Sequence, residues 1–159
     1  MSDRYQVALR SVRDEDLELL LAWAWIPSIW VYMPTSRRVE VLTWEHHYRW
    51  WQQRRNRKDW MILLEDEGFQ RRVGVVHIDF NSEPPEIGLY IGEITLHGKG
   101  IGKRALEMAI EESECNNLVA VVNPQNGRSV ALFEGLGFKY KGGARHGQTL
   151  YGFDKGSSS

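Results

Sequence analysis

Apolar and polar residues alternate with two different periods along the chain, and the changes between these periods divide it into short strands and amphipathic helices. Strands are predicted near residues 5–12, 60–64, 73–80, 87–91, 118–122, 138–141 and 149–153, and helices near 14–25, 43–53, 101–115 and 126–134. The apolar run at 118–122 predicts a strand that is buried on both faces. The order β-α-α-β-β-β-α-β-α-β-β mixes antiparallel hairpins with βα units, which predicts an α/β fold around one mixed sheet.

Composition narrows the class of protein. The chain has 159 residues, 42% of them hydrophobic and 26% charged, which predicts one globular domain over residues 1–155. The small polar residues 156–159 are expected to form a disordered tail. The net charge of -1 leaves no general basic field for nucleic acid. We expect no membrane segment and no signal peptide, and therefore a cytoplasmic protein.

A glycine-dense segment, Gly98-Lys99-Gly100-Ile101-Gly102, lies between a predicted strand and a predicted helix. Glycines allow main-chain amides to approach an anion closely, and the start of a helix adds unpaired N–H groups. Lys103 and Arg104 add positive charge next to them. The segment therefore predicts a site for a phosphate or a pyrophosphate.

Two common phosphate motifs do not fit this segment. A Walker loop ending at Gly102-Lys103 requires glycine at position 97 and Ser or Thr at position 104, where the chain has His97 and Arg104. The dinucleotide fingerprint starts well at Gly98 and Gly100 but fails at Lys103, where it requires glycine.

A third pattern does fit. The run from His97 to Gly102 resembles the acetyl-CoA pyrophosphate loop of the GNAT superfamily of N-acetyltransferases, [QR]-x-x-G-x-G/A, with His97 in place of Gln or Arg. The run from Asn123 to Phe138 is similar to that family's N-x-x-[SA]-x-x-[LF]-[YF]-x-x-x-G-F segment. The resemblance covers residues 5–153. It implies a mixed central sheet flanked by about four helices, with splayed strands in the middle.

The resemblance implies direct transfer of an acetyl group from acetyl-CoA to a primary amine in a ternary complex, without a metal. It implies a bulge at Leu89-Tyr90-Ile91, with a main-chain amide near Ile91 facing the thioester oxygen. Phe133 departs from the family, because many members have there a Tyr that protonates the departing thiolate. The implied cofactor contacts are Leu89, Tyr90, Ile91, His97, Gly98, Lys99, Gly100, Ile101, Gly102, Lys103, Asn126, Ser129 and Phe133.

The attacking amine must lose a proton, so a base is needed. Glu86 is the first candidate, Glu93 near the predicted bulge is the second and Asp79 on the neighbouring strand is the third. A solvated carboxylate is the alternative for each of them. His77 is a further candidate, and a histidine held on the sheet face is its alternative.

The acceptor side is less well defined by the sequence. The family usually shapes it from the first two helices and their loop, which makes Trp30, Tyr32 and Met33, together with His77, the candidate acceptor contacts. His46 and His47 are adjacent on a helix and point about 100° apart, so we predict no metal site. The basic run 54–58 is interpreted as a solvated helix end rather than an RNA contact.

The run Trp23-Ala24-Trp25 followed by Tyr32-Met33 resembles a GNAT branch that includes ribosomal-protein, aminoglycoside and aminosugar acetyltransferases. We therefore expect a small amine or aminosugar acceptor, with a peptide N-terminus as the competitor. No nucleic-acid or membrane partner is expected, and a homodimer is compatible with the family. Two rival classes stay open: a catalytically silent CoA-binding module, which Phe133 motivates, and a nucleotide-phosphate protein that uses the same loop.

Overall fold

The computed structural model describes residues 6–26, 43–93, 96 and 98–156. A 3-10 turn, Asp14–Asp16, precedes the first helix. The elements are β1 (Gln6–Ser11), α1 (Leu17–Ala24), α2 (Trp44–Gln53), β2 (Arg57–Asp66), β3 (Phe69–Asp79), β4 (Glu86–Ile91), α3 (Ile101–Ser113), β5 (Asn117–Val122), α4 (Gly127–Gly135), β6 (Lys139–Gly143) and β7 (Thr149–Asp154). Their order is the one predicted from the sequence. None of the helices in the described part of the chain is long and apolar enough to span a bilayer.

The strands form one seven-stranded sheet in the order β1-β2-β3-β4-β5-β7-β6. Every neighbouring pair is antiparallel except β4 and β5, which are parallel and share the single paired position Glu86 with Val119. The amide of Val119 donates to the carbonyl of Pro85 at 2.9 Å. Beyond this point the two strands separate, which confirms the mixed α/β fold with splayed central strands.

The two faces of the sheet bury different cores. One face packs against α3 and α4, and the other packs against α1. Because side chains alternate along a strand, neighbouring residues of β2 belong to different cores, as Trp60 and Met61 do. The first core includes Trp60, Ile62, Val76, Ile78, Ile87, Ala105, Leu106 and Phe133. The second includes Leu17, Leu20, Trp23, Met61, Leu63 and Val75. The helical layers therefore cover the sheet on both sides of the opening between β4 and β5.

Two strand predictions need correction. The hairpin between β2 and β3 has a tight turn at Glu67 and Gly68, with φ of 52° and 86°, rather than the longer connection left between the predicted strands 60–64 and 73–80. Two residues with positive φ suit the twist of a hairpin, so both strands run further than their apolar residues indicate. In β5, Leu118, Ala120 and Val122 are buried but Val119 and Val121 are only half-buried. The strand is not buried on both faces, because one face borders the opening.

The interpretation of the basic run 54–58 as a solvated helix end is wrong. Thr43 caps α2, since its Oγ1 accepts the amide of His46 at 3.2 Å. The helix ends at Gln53, and β2 already begins at Arg57. The guanidinium of Arg54 lies 3.6 Å from the ring centroid of Trp51 and pairs with Asp59. Aromatic stacking and a carboxylate partner, rather than the helix dipole, hold these basic side chains in place.

A buried carboxylate connects the first helical layer to the sheet. The side chain of Asp16 is fully buried and accepts hydrogen bonds from Arg10 at 2.8 Å, from the main chain of Arg13 at 2.8 Å and from Arg72 at 3.1 Å. Burial alone would raise the pKa of Asp16, but these three donors outweigh it and lower the pKa to about 2. Since Arg10 lies on β1 and Arg72 on β3, the charge fixes the start of α1 to two strands.

We predict that Asp16→Asn lowers the free energy of unfolding by about 2 kcal/mol at pH 7, the value of a pKa shift of this size. The stabilisation from Asp16 is complete above its unfolded pKa of 3.8 and is lost as the pH falls through the folded value of about 2. The deficit of the variant should therefore shrink between pH 4 and pH 2. Urea denaturation at several pH values measures the difference in the free energy of unfolding. Glu18→Gln is the control, since Glu18 is an exposed carboxylate in the first turn of α1. A deficit that is independent of pH would contradict the assignment.

Candidate active site

A cleft of about 710 Å³ occupies the opening between β4 and β5. At one end it is bordered by the glycine segment, the start of α3 and the start of α4. At the other end it follows the face of β2, β3 and β4 that α1 and α2 cover, with Leu20, Ala24, His47 and Trp50 in its wall. One cavity thus joins two chemically different regions, which we call the loop end and the sheet end.

The loop end presents the start of a helix. Gly98 and Gly100 have φ of 78° and 80°, a conformation that strains any other residue. Gly100 precedes α3 without a side-chain cap, and its carbonyl accepts the first helical hydrogen bond, from Arg104 at 3.1 Å. The amides of residues 101–103 precede that bond, and Lys103 lines the cleft beside them. Main-chain amides, the helix dipole and a lysine together suit an anionic group.

The start of α4 forms the second wall of the loop end. Asn126 caps this helix, since its side-chain oxygen accepts the amide of Ser129 at 3.3 Å. Both residues line the cleft, together with Arg128. Phe133 also borders the cleft but is only 4% exposed, and its ring packs edge-on against Phe138 with 5.1 Å between centroids. Phe133 thus contributes an apolar wall that is fixed by the core.

The sheet end is built by strand register. Asp59, His77 and Gly88 are paired across β2, β3 and β4, and Arg57 with Asp79 and Glu86 form the next paired row. Paired positions share a face, so these six residues project to the same side, and all of them line the cleft. A Cβ added to Gly88 would lie 2.6 Å from Cε1 of His77. The imidazole therefore packs directly on the backbone of β4, in the middle of the splayed strand.

Two of the three candidate bases lie in the cleft. Glu86 is held by Arg145, whose Nη2 lies 2.9 Å and 3.1 Å from the two carboxylate oxygens. Asp79 accepts from the amide and the side chain of Asn81 at 2.9 Å and 2.7 Å. Burial opposes ionisation of Asp79, but the hydrogen bonds from Asn81 and the charge of Arg57 outweigh it and lower the pKa. A carboxylate with a lowered pKa is a weaker base, which counts against Asp79 as the base.

The structure does not bring every predicted residue to the cleft. Glu93 pairs with Arg71 at 3.2 Å and is not part of the cleft wall. Lys99 is exposed beside the wall rather than in it. The remaining described contacts implied by the family resemblance line the cleft. Four predicted site residues, Trp30, Tyr32, Met33 and His97, lie outside the described residues.

The bulge predicted at Leu89-Tyr90-Ile91 lies elsewhere. Pairing between β3 and β4 is regular from Glu86 to Ile91. Immediately after β4, the amides of Gly92 and Glu93 both donate to the carbonyl of Val73, at 2.7 Å and 3.3 Å. Two residues thus face one, as in a bulge. The indole of Trp23 occupies the space where a side chain at Gly92 would lie, 2.2 Å from a Cβ at that position, so the glycine is required by a close contact with α1.

Sequence reasoning missed several residues of the sheet end. Arg57 was assigned to a helix end and Asp59 to no element, although their alternation with Lys58 and Trp60 fits a strand with one polar face. Arg145 belongs to the 3-10 turn Arg145–Gly147 between β6 and β7. It lies 59 positions from Glu86, and no local pattern connects two positions so far apart.

Comparison with known proteins identifies relatives along most of the chain. The family model for the acetyltransferase (GNAT) domain matches residues 6–139. An uncharacterized protein of Methanocaldococcus jannaschii is 38% identical over 150 residues, which is 92% of this chain and 31% of the relative. The chain therefore spans about a third of that relative's length. A solved domain from Methanocaldococcus jannaschii is 36% identical, with a TM-score of 0.86 over 94% of this chain and 99% of that one.

More distant solved structures share the fold. An aminoglycoside acetyltransferase in complex with coenzyme A has a TM-score of 0.73 at 16% identity, covering 94% of this chain and 95% of that one. A spermidine N-acetyltransferase from Vibrio cholerae, in complex with CoA and spermine, has a TM-score of 0.71 at 18% identity, covering 92% and 93%. At such identities the likeness is one of fold.

We predict that Gly88→Ala displaces the imidazole of His77, because the added Cβ would lie within 2.8 Å of both Cε1 and Nε2. Overpacking of this kind costs about 1–3 kcal/mol. Thermal denaturation measures the loss, and the ring resonances of His77 in NMR spectra report the displacement. Gly135→Ala is the matched control, since nothing lies within 4 Å of its added Cβ. Unchanged His77 resonances in Gly88→Ala would contradict the packing described.

Proposed function

Because the chain belongs to the GNAT acetyltransferase family, we propose that it is an N-acetyltransferase that moves the acetyl group of acetyl-CoA directly to a primary amine. The observation that carries the proposal is one cleft that joins an uncapped helix start to a carboxylate-bearing sheet face through the opening between β4 and β5. A small amine or aminosugar is the favoured acceptor, and a peptide N-terminus is the alternative. The fold neighbours named for an aminoglycoside and for spermidine support a small acceptor.

The residues at the loop end fit the phosphates of CoA. The pyrophosphate would be held by the amides of residues 100–103, where the helix dipole and Lys103 favour negative charge. Arg128 at the start of α4 adds a second positive side chain to the wall. Asn126 and Ser129 would contact the pantetheine arm, since both line the cleft between the loop and the opening. Leu89 and Leu132 lie beside Gly102 and supply apolar surface.

Acetyl-CoA supplies the acetyl group as a thioester, so the transfer forms a nitrogen–carbon bond and breaks a carbon–sulfur bond. Glu86 accepts the proton that the amine must lose, directly or through a water molecule. Asp79 keeps its charge and orients Arg57 in the floor of the sheet end. Phe133 has no hydroxyl to donate, so water protonates the sulfur, or CoA leaves as an unprotonated thiolate; a free cysteine thiol, with a pKa of about 8.5, shows that thiolates form readily near neutral pH.

A second candidate function follows from the missing hydroxyl at Phe133. Without a hydroxyl at Phe133, the domain could hold CoA and catalyse nothing, serving as a binding module. Such a module would bind acetyl-CoA with an intact loop end and release no CoA with any amine. Turnover with any acceptor excludes it.

We predict that Gly102→Glu weakens acetyl-CoA binding roughly 100-fold, equivalent to about 2.7 kcal/mol, because a negative charge enters the phosphate site. A side chain at Gly102 should not disturb the fold, since the atoms nearest to an added Cβ are side-chain carbons of Leu132 and Leu89 at 3.5 Å and beyond. Gly102→Ala is the matched control and should retain binding. Calorimetric titration with acetyl-CoA measures the difference, with ATP and NAD as comparison ligands. Binding of ATP without acetyl-CoA would favour the nucleotide-phosphate class instead.

We predict that Glu86→Gln lowers kcat about 100-fold or more, the usual contribution of a general base, while the affinity for acetyl-CoA stays nearly unchanged. Glu93→Gln should leave both quantities unchanged, because that side chain pairs with Arg71 outside the cleft wall. The rate of CoA release with an amine found by screening measures both variants across pH. An unaltered rate in Glu86→Gln would move the base to another residue, with His77 next.

A further inference from the structure

An ion pair lies across the sheet end of the cleft. Arg145 reaches from the turn between β6 and β7 to Glu86, the first residue of β4, and one nitrogen contacts both carboxylate oxygens at 2.9 Å and 3.1 Å. The side chain of Arg145 is 52% exposed and that of Glu86 is 23% exposed. Exposed ion pairs of this kind contribute little net stability, so a ligand can separate the two groups at small cost. Both residues border the same cavity.

Charge at the sheet end is balanced among the described residues. Three carboxylates, Asp59, Asp79 and Glu86, line the cleft there. Each has an arginine partner: Arg57 and Arg145 line the cleft with them, and Arg54 pairs with Asp59 from outside the cleft wall. Three negative charges therefore meet three positive ones. An acceptor with several ammonium groups would add positive charge that no carboxylate of this group is left to neutralise, and uncompensated charge is costly in a partly buried site.

We infer that the acceptor carries an acidic group, a carboxylate or a phosphate, in addition to its amine; this inference rests on the proposed function. Arg145 binds the acidic group and Glu86 receives the ammonium group. A ligand with one charge of each sign can replace the Glu86–Arg145 pair by two new pairs and leave the net charge of the sheet end unchanged. Guanidinium groups match carboxylate and phosphate oxygens well, through parallel N–H donors.

Replacement of the Glu86–Arg145 pair by pairs with the ligand also affects proton transfer. While Arg145 contacts both oxygens of Glu86, its guanidinium occupies the two atoms that would accept a proton from the amine. When the acidic group of the acceptor draws Arg145 away, both oxygens of Glu86 can contact the ammonium group instead. Arg145 is thus a specificity-determining residue that also positions Glu86. An amine without an acidic group would leave the original pair in place.

Matched acceptor pairs test the inference by calorimetry on the protein saturated with CoA. Glucosamine 6-phosphate is compared with glucosamine, glycine with glycinamide, and spermidine serves as the polycation. We expect the acidic member to bind at least tenfold more tightly in one of the two pairs, and which pair responds distinguishes a phosphate from a carboxylate. Arg145→Gln should remove that preference, and Arg145→Lys should keep part of it. Arg71→Gln, which opens the exposed ion pair with Glu93 outside the cleft wall, should keep it fully.

Turnover supplies a readout that a merely structural role would not change. For an acceptor that is acetylated, Arg145→Gln should raise KM for the acidic member more than tenfold and leave KM for its neutral counterpart within twofold. Equal affinity within both pairs, tightest binding of spermidine, or a preference that survives in Arg145→Gln would each overturn the inference.

Titration of the same variants with acetyl-CoA distinguishes a failure of this inference from a failure of the proposed function. If the protein binds acetyl-CoA but shows no preference for acidic acceptors, this inference alone is rejected. If the unaltered protein does not bind acetyl-CoA, the proposed function is rejected and this inference with it.

Discussion

The parallel pairing of β4 and β5 at a single position is the constraint on which the site depends. Glu86 and Val119 are paired where both strands begin, and the strands separate beyond that position. Backbone groups along the separated edges cannot bond to each other across the gap, so they are available to water or to an extended ligand. The sheet nevertheless remains continuous, because β4 is fully paired with β3 and β5 is fully paired with β7. A cleft can therefore pass through the middle of the sheet without dividing the fold.

The same alternation that builds the two cores also divides the cleft into its two ends. On β2, β3 and β4, one set of alternating positions fills the core under α3 and α4. The other set is apolar under α1, at Met61 and Val75, and becomes polar toward Arg57 and Asp79. Asp16 holds the start of α1 against β1 and β3, which fixes the position of the helical layer. The polar rows are left at the margin of that layer, where a ligand can reach them.

Local signals in the sequence were sufficient for the loop end. The glycines before α3 and the start of α4 near Asn126 each depend on a few neighbouring residues, and both were predicted close to their observed positions. Long-range features were not predictable in the same way. The half-buried face of β5 depends on the separation of β4, and the Glu86–Arg145 pair depends on a turn 59 positions away. A basic run such as 54–58 has the composition of a helix end, and only the partners Trp51 and Asp59 show that it starts a strand.

Under the proposed function, the electrostatics of the two ends explain how one cleft can bind acetyl-CoA at one end and the amine acceptor at the other. At the loop end, positive potential comes from backbone amides, the dipole of α3 and the charge of Lys103, and no carboxylate belongs to the described wall there. A ligand rich in phosphate gains most at that end. At the sheet end each carboxylate of the described wall already has a guanidinium partner, so a polyanion gains much less there. Under the inference drawn above, binding at the sheet end proceeds by exchange of partners, which favours a small ligand whose charges have both signs. For the proposed function, selectivity between donor and acceptor would then follow from positive potential at one end of the cavity and paired charge at the other.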